Sequence, residues 1–286
     1  MAKRREQKRE QRKRQRKQSE QQRQRALDRA KARPRPRDEH SSVTHLHEQL
    51  FLTSPQYTGK GEFRVEAGRI TVGGLGQCGI SDLRPLAEAP LQVLDLAQNP
   101  VSDLTPLRGM PLRELYLEST QVTDLSPLAG LPLEKLYLNG TATADLSPLA
   151  DAPLVELNLL GTRVADLSPL ATTKLSMLWL NECPMKDISP LKALPLVSLT
   201  LEGTAVADLS PLTGSETLQR LHIGRTPVSD LTPLEGLSLT RLIFEAERIE
   251  RGMEVVRSMT SLTEIGPDLE HRLAPEQFWA QHAPAE

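Results

Sequence analysis

The sequence is poor in the residues that most chemistry needs. Two cysteines, six histidines and nine aromatics (four Phe, three Tyr, two Trp) are all that 286 residues contain. With Cys78 and Cys183 105 positions apart there is no disulfide framework to read, and two lone thiols suit a reducing compartment. His45 and His47 differ by two, which on a helix aims them about 160° apart, and no cysteine stands near them, so a metal site is not expected. No run of 18 apolar residues occurs, which leaves no candidate for a spanning helix. The chain opens like the charged part of a signal peptide, but no apolar core follows. The expectation is a cytoplasmic protein with no membrane insertion.

Charge is abundant and unevenly spread. Residues 1–37 hold 17 Lys and Arg against four acids, a net of +13, while the remainder carries 18 bases against 33 acids, a net of −15. The overall −2 therefore joins two opposite polyelectrolytes. The basic stretch has almost no apolar residue to offset the entropy of ordering, which predicts a disordered tail over 1–38. It lacks aromatics for base stacking and an apolar face for a bilayer, so its contact with RNA, DNA or an anionic surface would be non-specific. It could equally serve solubility, or fold back on the acidic body.

After the tail comes a repeat. The Asp of "DLxPL" stands at Asp82, Asp103, Asp124, Asp145, Asp166, Asp187, Asp208 and Asp230, six intervals of 21 and a last of 22. The additional residue falls between Leu212 and Leu221. Within one unit, Leu112 to Leu128, "LxxLxL" reads as a short strand with Leu115 and Leu117 inward, and "TxVxDLSPL" turns the chain back behind it. The Asp is placed to accept from the turn backbone, and the proline starts a tight helical turn where no donor is missed. A single unit buries too little to order itself. Stacked units share one parallel sheet, and constant spacing keeps their strands in register. Both cysteines occupy one position of the unit, five repeats or about 24 Å apart at the usual strand spacing, too far for a bond.

The repeated "LxxLxL…DLSPL" resembles the bacterial internalin-like (SDS22-like) leucine-rich repeat, shortened to 21 residues. The Asn usual after the strand survives only as Asn99; Cys78, Thr120, Thr141, Thr162, Cys183, Thr204 and Thr226 replace it. The flanks "SPQYTGKGEFRVEAGRIT" and "GMEVVRSMTSLTEIG…LAPEQFWAQ" are similar to the ends of repeat arrays in planctomycete and verrucomicrobial proteins, where such arrays stand alone or follow a kinase domain. The resemblance spans roughly Leu46 to the C-terminus and leaves out the tail. It implies an α/β fold, a horseshoe solenoid with a concave parallel sheet, a convex side of 3-10 turns, and helical caps. The expected layout is a tail (1–38), an N-terminal cap (39–68), repeats (69–245) and a C-terminal cap (246–286). In the first cap Val43, Leu46, Leu50 and Phe51 share a helical face behind Ser41 or Ser42 as N-cap. In the last, Ile249, Met253, Val256 and Met259 form a helix, a strand-like piece follows at Leu262 to Ile265, and Phe278 and Trp279 cover the open edge.

Enzymatic motifs fail for lack of context. "GLGQCG" at Gly74 to Gly79 has the dinucleotide-binding spacing, but "ISDLRPL" follows instead of a helix whose N-terminus could hold a phosphate. The eight aspartates lack the further acidic and glycine positions of a calcium site. No nucleophile–base set can be assembled, so neither catalysis, a cofactor nor a metal is expected. Function is left to the concave face. Its middle column reads Asp95, Tyr116, Tyr137, Asn158, Trp179, Thr200, His222, Ile243, so three of the nine aromatics stand in one line. The candidate partner-binding residues are Asp95, Glu114, Tyr116, Glu118, Tyr137, Asn158, Trp179, Asn181, Arg220, His222 and Arg241. Tyr116, Tyr137 and Trp179 would anchor a protein or peptide, with early acids and the late Arg220, Arg225 and Arg241 orienting it. The protein is expected to be monomeric.

Overall fold

A computed structural model describes residues 39–282, so the basic tail and its expected disorder lie outside the described residues. Eleven strands form one open sheet in sequence order. They are β1 (Glu62–Glu66), β2 (Arg69–Gly74), β3 (Val93–Asp95), β4 (Glu114–Tyr116), β5 (Lys135–Tyr137), β6 (Glu156–Asn158), β7 (Met177–Trp179), β8 (Ser198–Thr200), β9 (Arg220–His222), β10 (Arg241–Ile243) and β11 (Glu264–Gly266). From β2 to β11 every neighbour is parallel, and Leu94, Leu115, Leu136, Leu157, Leu178, Leu199, Leu221 and Leu242 pair in register. The spacing of 21 thus places each leucine beside its copy, and each is at most 1% exposed.

The return path is equally regular. Eight three-residue 3-10 turns, from Arg84–Leu86 to Thr232–Leu234, stack behind the sheet. In all eight the Asp of "DLxPL" accepts the backbone N–H two residues on, for example Ser126 N to Asp124 Oδ1 at 2.8 Å and Thr232 N to Asp230 Oδ1 at 2.9 Å. In five of them the Ser hydroxyl donates to the second carboxylate oxygen. The turns are thus pre-shaped by side chains, and proline supplies the fixed φ.

The position after the strand divides by chemistry. Asn99 donates to the carbonyls of Leu75, Leu96 and Ala97 and accepts from Ile80 N–H, so it ties its repeat to the one before. Thr120, Thr141, Thr204 and Thr226 each donate to the carbonyl three residues back. Cys183 reaches Leu159 O at 3.0 Å and Thr162 Oγ1 at 3.4 Å. Both cysteines are free and buried, as read from the sequence.

The caps differ in part from expectation. Helix α1 (Glu39–Thr53) buries Leu46 and Leu50 and packs Val43 and Phe51 against the core, but it already runs through the two serines, so Ser42 is an internal residue and not an N-cap. The hairpin β1–β2 is antiparallel, closed at Ala67 and Gly68, both with positive φ, and covers the first edge. At the other end the helix expected from Ile249 to Met259 shrinks to α2 (Met253–Ser258), because Gly252 at φ 84° interrupts it. The last helix, α3 (Pro275–Gln281), lies on β11 and buries Phe278 against Phe244, ring centroids 5.9 Å apart.

Two measurements test this account of stability. Leu157→Ala, at a site with no exposure, is expected to lower the unfolding free energy by about 2–5 kcal/mol in urea. Asp187→Ala is expected to lower the urea midpoint at pH 7. The Asp187 carboxyl sits below its ordinary value, held there by the Ser189 N–H and hydroxyl. A depressed carboxyl stabilises above its unfolded value, so the gap between variant and parent should close as pH falls below about 4.

Candidate functional site

Between inward leucines the strand residues point to the concave face, one column for each strand position. Asp95, Tyr116, Tyr137, Asn158, Trp179, Thr200, His222 and Ile243 are direct partners across successive strands, as are Glu114, Lys135, Glu156, Met177, Ser198, Arg220 and Arg241. Glu118, Asn139, Leu160, Asn181 and Glu202 follow in a third column, where pairing continues through bonds such as Ser119 N to Asn139 O.

The three aromatics come together. Tyr116 and Tyr137 have ring centroids 5.1 Å apart, and Tyr137 reaches over Asn158 to within 6.0 Å of Trp179. All three are half-buried. Leu160 is 41% exposed and Met177 is half-buried in the flanking columns, so the ladder continues into an apolar patch. Both residues belong to the columns read from the sequence.

Acids and hydroxyls lock the ladder's edge. Tyr116 donates to Glu114 Oε2 at 2.8 Å, Tyr137 to Glu156 Oε2 at 3.0 Å, and Lys135 Nζ sits 3.6 Å from both glutamates. Burial, reinforced by the bond to Glu156, pushes the Tyr137 hydroxyl up to about 12, and Tyr116 rises for like reasons with Glu114. Glu118 is raised by burial, with Asp95 adding repulsion. Glu118 Oε2 and Asn139 Oδ1, neighbours in the third column, are buried oxygens without a hydrogen-bond partner.

Of the three late arginines expected to orient a partner, two are engaged within the fold. Arg225 pairs with Glu182 and Glu202, and Arg241 pairs with Glu264, which also accepts from Arg272 at 3.0 Å. Asn181 donates to Glu202 and accepts from Thr200. Arg220 makes no ion pair among the described residues and is half-buried. His222 and Ile243 are not available to a partner: they are 4% and 0% exposed. Residues 267–273, tied down where Ile265 and Leu273 exchange backbone hydrogen bonds, fold back at this end of the sheet. Among the cap's charges, Asp268 is near enough to act on His222. This covering comes from beyond the repeats, which is why the column alone did not disclose it.

Neither His222 nitrogen has a hydrogen-bond partner; Glu202 Oε2 is 3.9 Å from Nε2. At the other end, His47 Nδ1 shares a 2.6 Å hydrogen bond with the Tyr57 hydroxyl, and Phe63 packs edge-on at 5.3 Å. His47 is thus a packed cap residue. The "GLGQCG" glycines lie on β2 and its exit, followed by loop and the first 3-10 turn.

Stacked parallel strands, side-chain-capped 3-10 turns and capped ends define a leucine-rich-repeat solenoid, and its sequence pattern is internalin-like. An internalin (inlF) from Listeria monocytogenes is 32% identical over 65% of this chain and 56% of its own, with a TM-score of 0.58. Internalin C2 from the same organism is 27% identical over 62% of this chain and 81% of its own, also at 0.58. This chain therefore spans little more than half the length of the first. The plant peptide hormone receptor RGFR1, solved in complex with RGF2, is 15% identical with a TM-score of 0.54, a likeness of fold alone. No protein-family model and no curated protein matches the sequence.

Burial holds the His222 imidazole below its ordinary value; Glu202 and Asp268 pull it upward and Arg225 downward. A depressed imidazole folds best when neutral, so stability is expected to fall as pH drops below about 6.5. Urea midpoints between pH 7.5 and 5 should show this for the parent. His222→Leu, which also removes two unpartnered polar atoms, should show a flatter profile; an equal slope in both would remove His222 as its source.

Proposed function

We propose that the chain is a non-catalytic interaction scaffold that holds a protein or peptide partner on its concave face. The observation that carries this reading is the ladder Tyr116–Tyr137–Trp179, which opens onto Leu160 and is edged by fixed carboxylates. Rigid amphipathic rings next to an exposed apolar side chain lose little entropy on binding and gain much contact area. Asp95, Glu114, Glu118, Asn158, Asn181, Arg220 and Arg241 form the polar surround, and His222 drops out of the set. Among the described residues no group of three or more His, Cys, Asp or Glu could hold a metal ion, and the Tyr116 and Tyr137 hydroxyls are already bonded to Glu114 and Glu156.

The reading extends to a monomer in a reducing compartment, supported by capped sheet ends and two buried free thiols. Among the described residues no helix is long and apolar enough to cross a membrane. A second reading, an adaptor that binds nucleic acid through residues 1–37, is favoured only by the 17 cations there. Its mark is RNA affinity that falls steeply with salt and vanishes when the tail cations are replaced by glutamine.

Partners recovered by affinity purification from the source cells supply the main test. Each aromatic anchor is expected to contribute about 2 kcal/mol, roughly thirty-fold in Kd. Tyr116→Ala, Tyr137→Ala and Trp179→Ala combined should therefore abolish capture. Undiminished capture by the folded triple variant would sink the reading.

A further inference from the structure

The acidic half of the concave face has acceptors to spare. On β3 to β6 and the residues just after them, Asp95, Glu114, Glu118 and Glu156 face a single cation, Lys135, which is shared between Glu114 and Glu156. The two tyrosine hydroxyls occupy one oxygen on each of those glutamates. What is left is Glu118 Oε2 and Asn139 Oδ1, both buried and both without a donor. An unmet buried acceptor is costly, and these two follow adjacent strands, whose backbones lie about 4.8 Å apart at the usual spacing. Neither a carbonyl nor a carboxylate can answer them. A guanidinium with five N–H groups or an ammonium with three can answer both, and the faces of Tyr116 and Tyr137 beside them favour a cation further.

The late half of the face has no such excess. Its glutamates are met by Arg225, Arg241 and Arg272. The unneutralised charge therefore lies in the N-terminal half of the array, and that is the end at which the described chain begins. Helix α1 packs on the first 3-10 turn. Immediately before it the sequence carries 17 Lys and Arg against four acids in 37 residues. A segment of that length spans at most about 125 Å when extended, whereas β3 to β6 occupies about 15 Å. Reach is no obstacle, and tethering at one end gives an effective concentration on the order of millimolar.

We propose that the basic N-terminal segment, residues 1–37, docks on the acidic half of its own concave face, with Lys or Arg side chains meeting Glu118 and Asn139 beside the tyrosine pair. This rests on the same face being a docking surface and adds a regulation to it: an outside partner binds only by displacing the segment. Competition of this kind makes partner affinity rise with salt over the range in which the tail is released, the reverse of a simple ion-paired interface.

Zero-length carbodiimide cross-linking of the full chain tests it, because Lys3, Lys8, Lys13, Lys17 and Lys31 in the segment can form amides only with carboxyls they touch. At low ionic strength the expected products join these lysines to Asp95, Glu114, Glu118 or Glu156 within one chain, at a yield independent of protein concentration. They should fall at least five-fold in 1 M salt. In the full chain carrying Glu118→Gln, amides to Asp95 and Glu114 should drop at least three-fold. Cross-links to the exposed turn aspartates such as Asp145 and Asp187 in equal yield would overturn the proposal. So would products found only between isotopically distinct chains, or an unchanged pattern in the glutamine variant. The assay needs no outside partner, so its failure would leave the scaffold reading standing, and failure of the aromatic triple variant would leave this one.

Discussion

The backbone ladder between successive repeats is the constraint on which everything else depends. Each strand from β3 to β11 has only three residues in regular pairing, and no single repeat has a closed core. Leu94, Leu115 and Leu136 are buried because the neighbouring repeat presents the same residue at the same height. A change of one residue in the strand segment would move every inward leucine to the other face. The one length irregularity, between Leu212 and Leu221, is absorbed in the return path, and β8 and β9 still pair Leu199 with Leu221. Indels are tolerated where hydrogen bonds are local and not where they form the ladder.

Replacing Asn by Thr and Cys shifts cohesion from side chains to the ladder. Asn99 has four bonds and links two repeats, whereas Thr120, Thr141, Thr204 and Thr226 satisfy a carbonyl of their own repeat. A threonine hydroxyl closes the strand's exit without holding the next repeat. Cys183 is the intermediate case, since its thiol reaches back 24 residues to Leu159 O. Contact between units then falls mainly to leucine packing and the backbone, both of which repeat with the 21-residue period. This explains why the sequence keeps its leucines in nearly every copy while the asparagine position varies.

Much of this was legible because it is periodic. The three concave columns, the Asp-bonded turns, the buried thiols and the strand partners all follow from one unit applied eight times. What was not legible is what breaks the period. The β1–β2 hairpin is signalled only by the alternation of Phe63, Val65, Ile70 and Val72 about Ala67–Gly68, a short pattern with no second copy to reinforce it. The pairing of Arg225 with Glu182 joins residues 43 apart, two repeats along the same face. The shortened α2 turns on one backbone angle at Gly252, and the burial of His222 and Ile243 depends on a cap segment, residues 267–273, that lies 24 to 51 positions further along the chain. Sequence spacing locates columns, and only the packed ends decide how much of each column stays open.

That asymmetry of ends also divides the concave face. The C-terminal cap lies near the last strands and brings Glu264, Asp268 and Arg272 with it, so charge there is answered within the fold. The N-terminal cap places α1 behind the first 3-10 turn and a hairpin at the edge, and among the described residues it brings no ion-pair partner to Asp95 or Glu118. The two halves therefore differ through the repeats, which supply Arg225 and Arg241, as well as through the cap, which supplies Arg272. The aromatic ladder spans the junction, from Tyr116 among the acids to Trp179 near the neutralised networks, so anything bound along it meets unbalanced charge at one end and a balanced surface at the other. A chain bound as proposed would be oriented by the acidic end alone, its basic part toward β3–β5 and its apolar part toward Leu160 and Trp179.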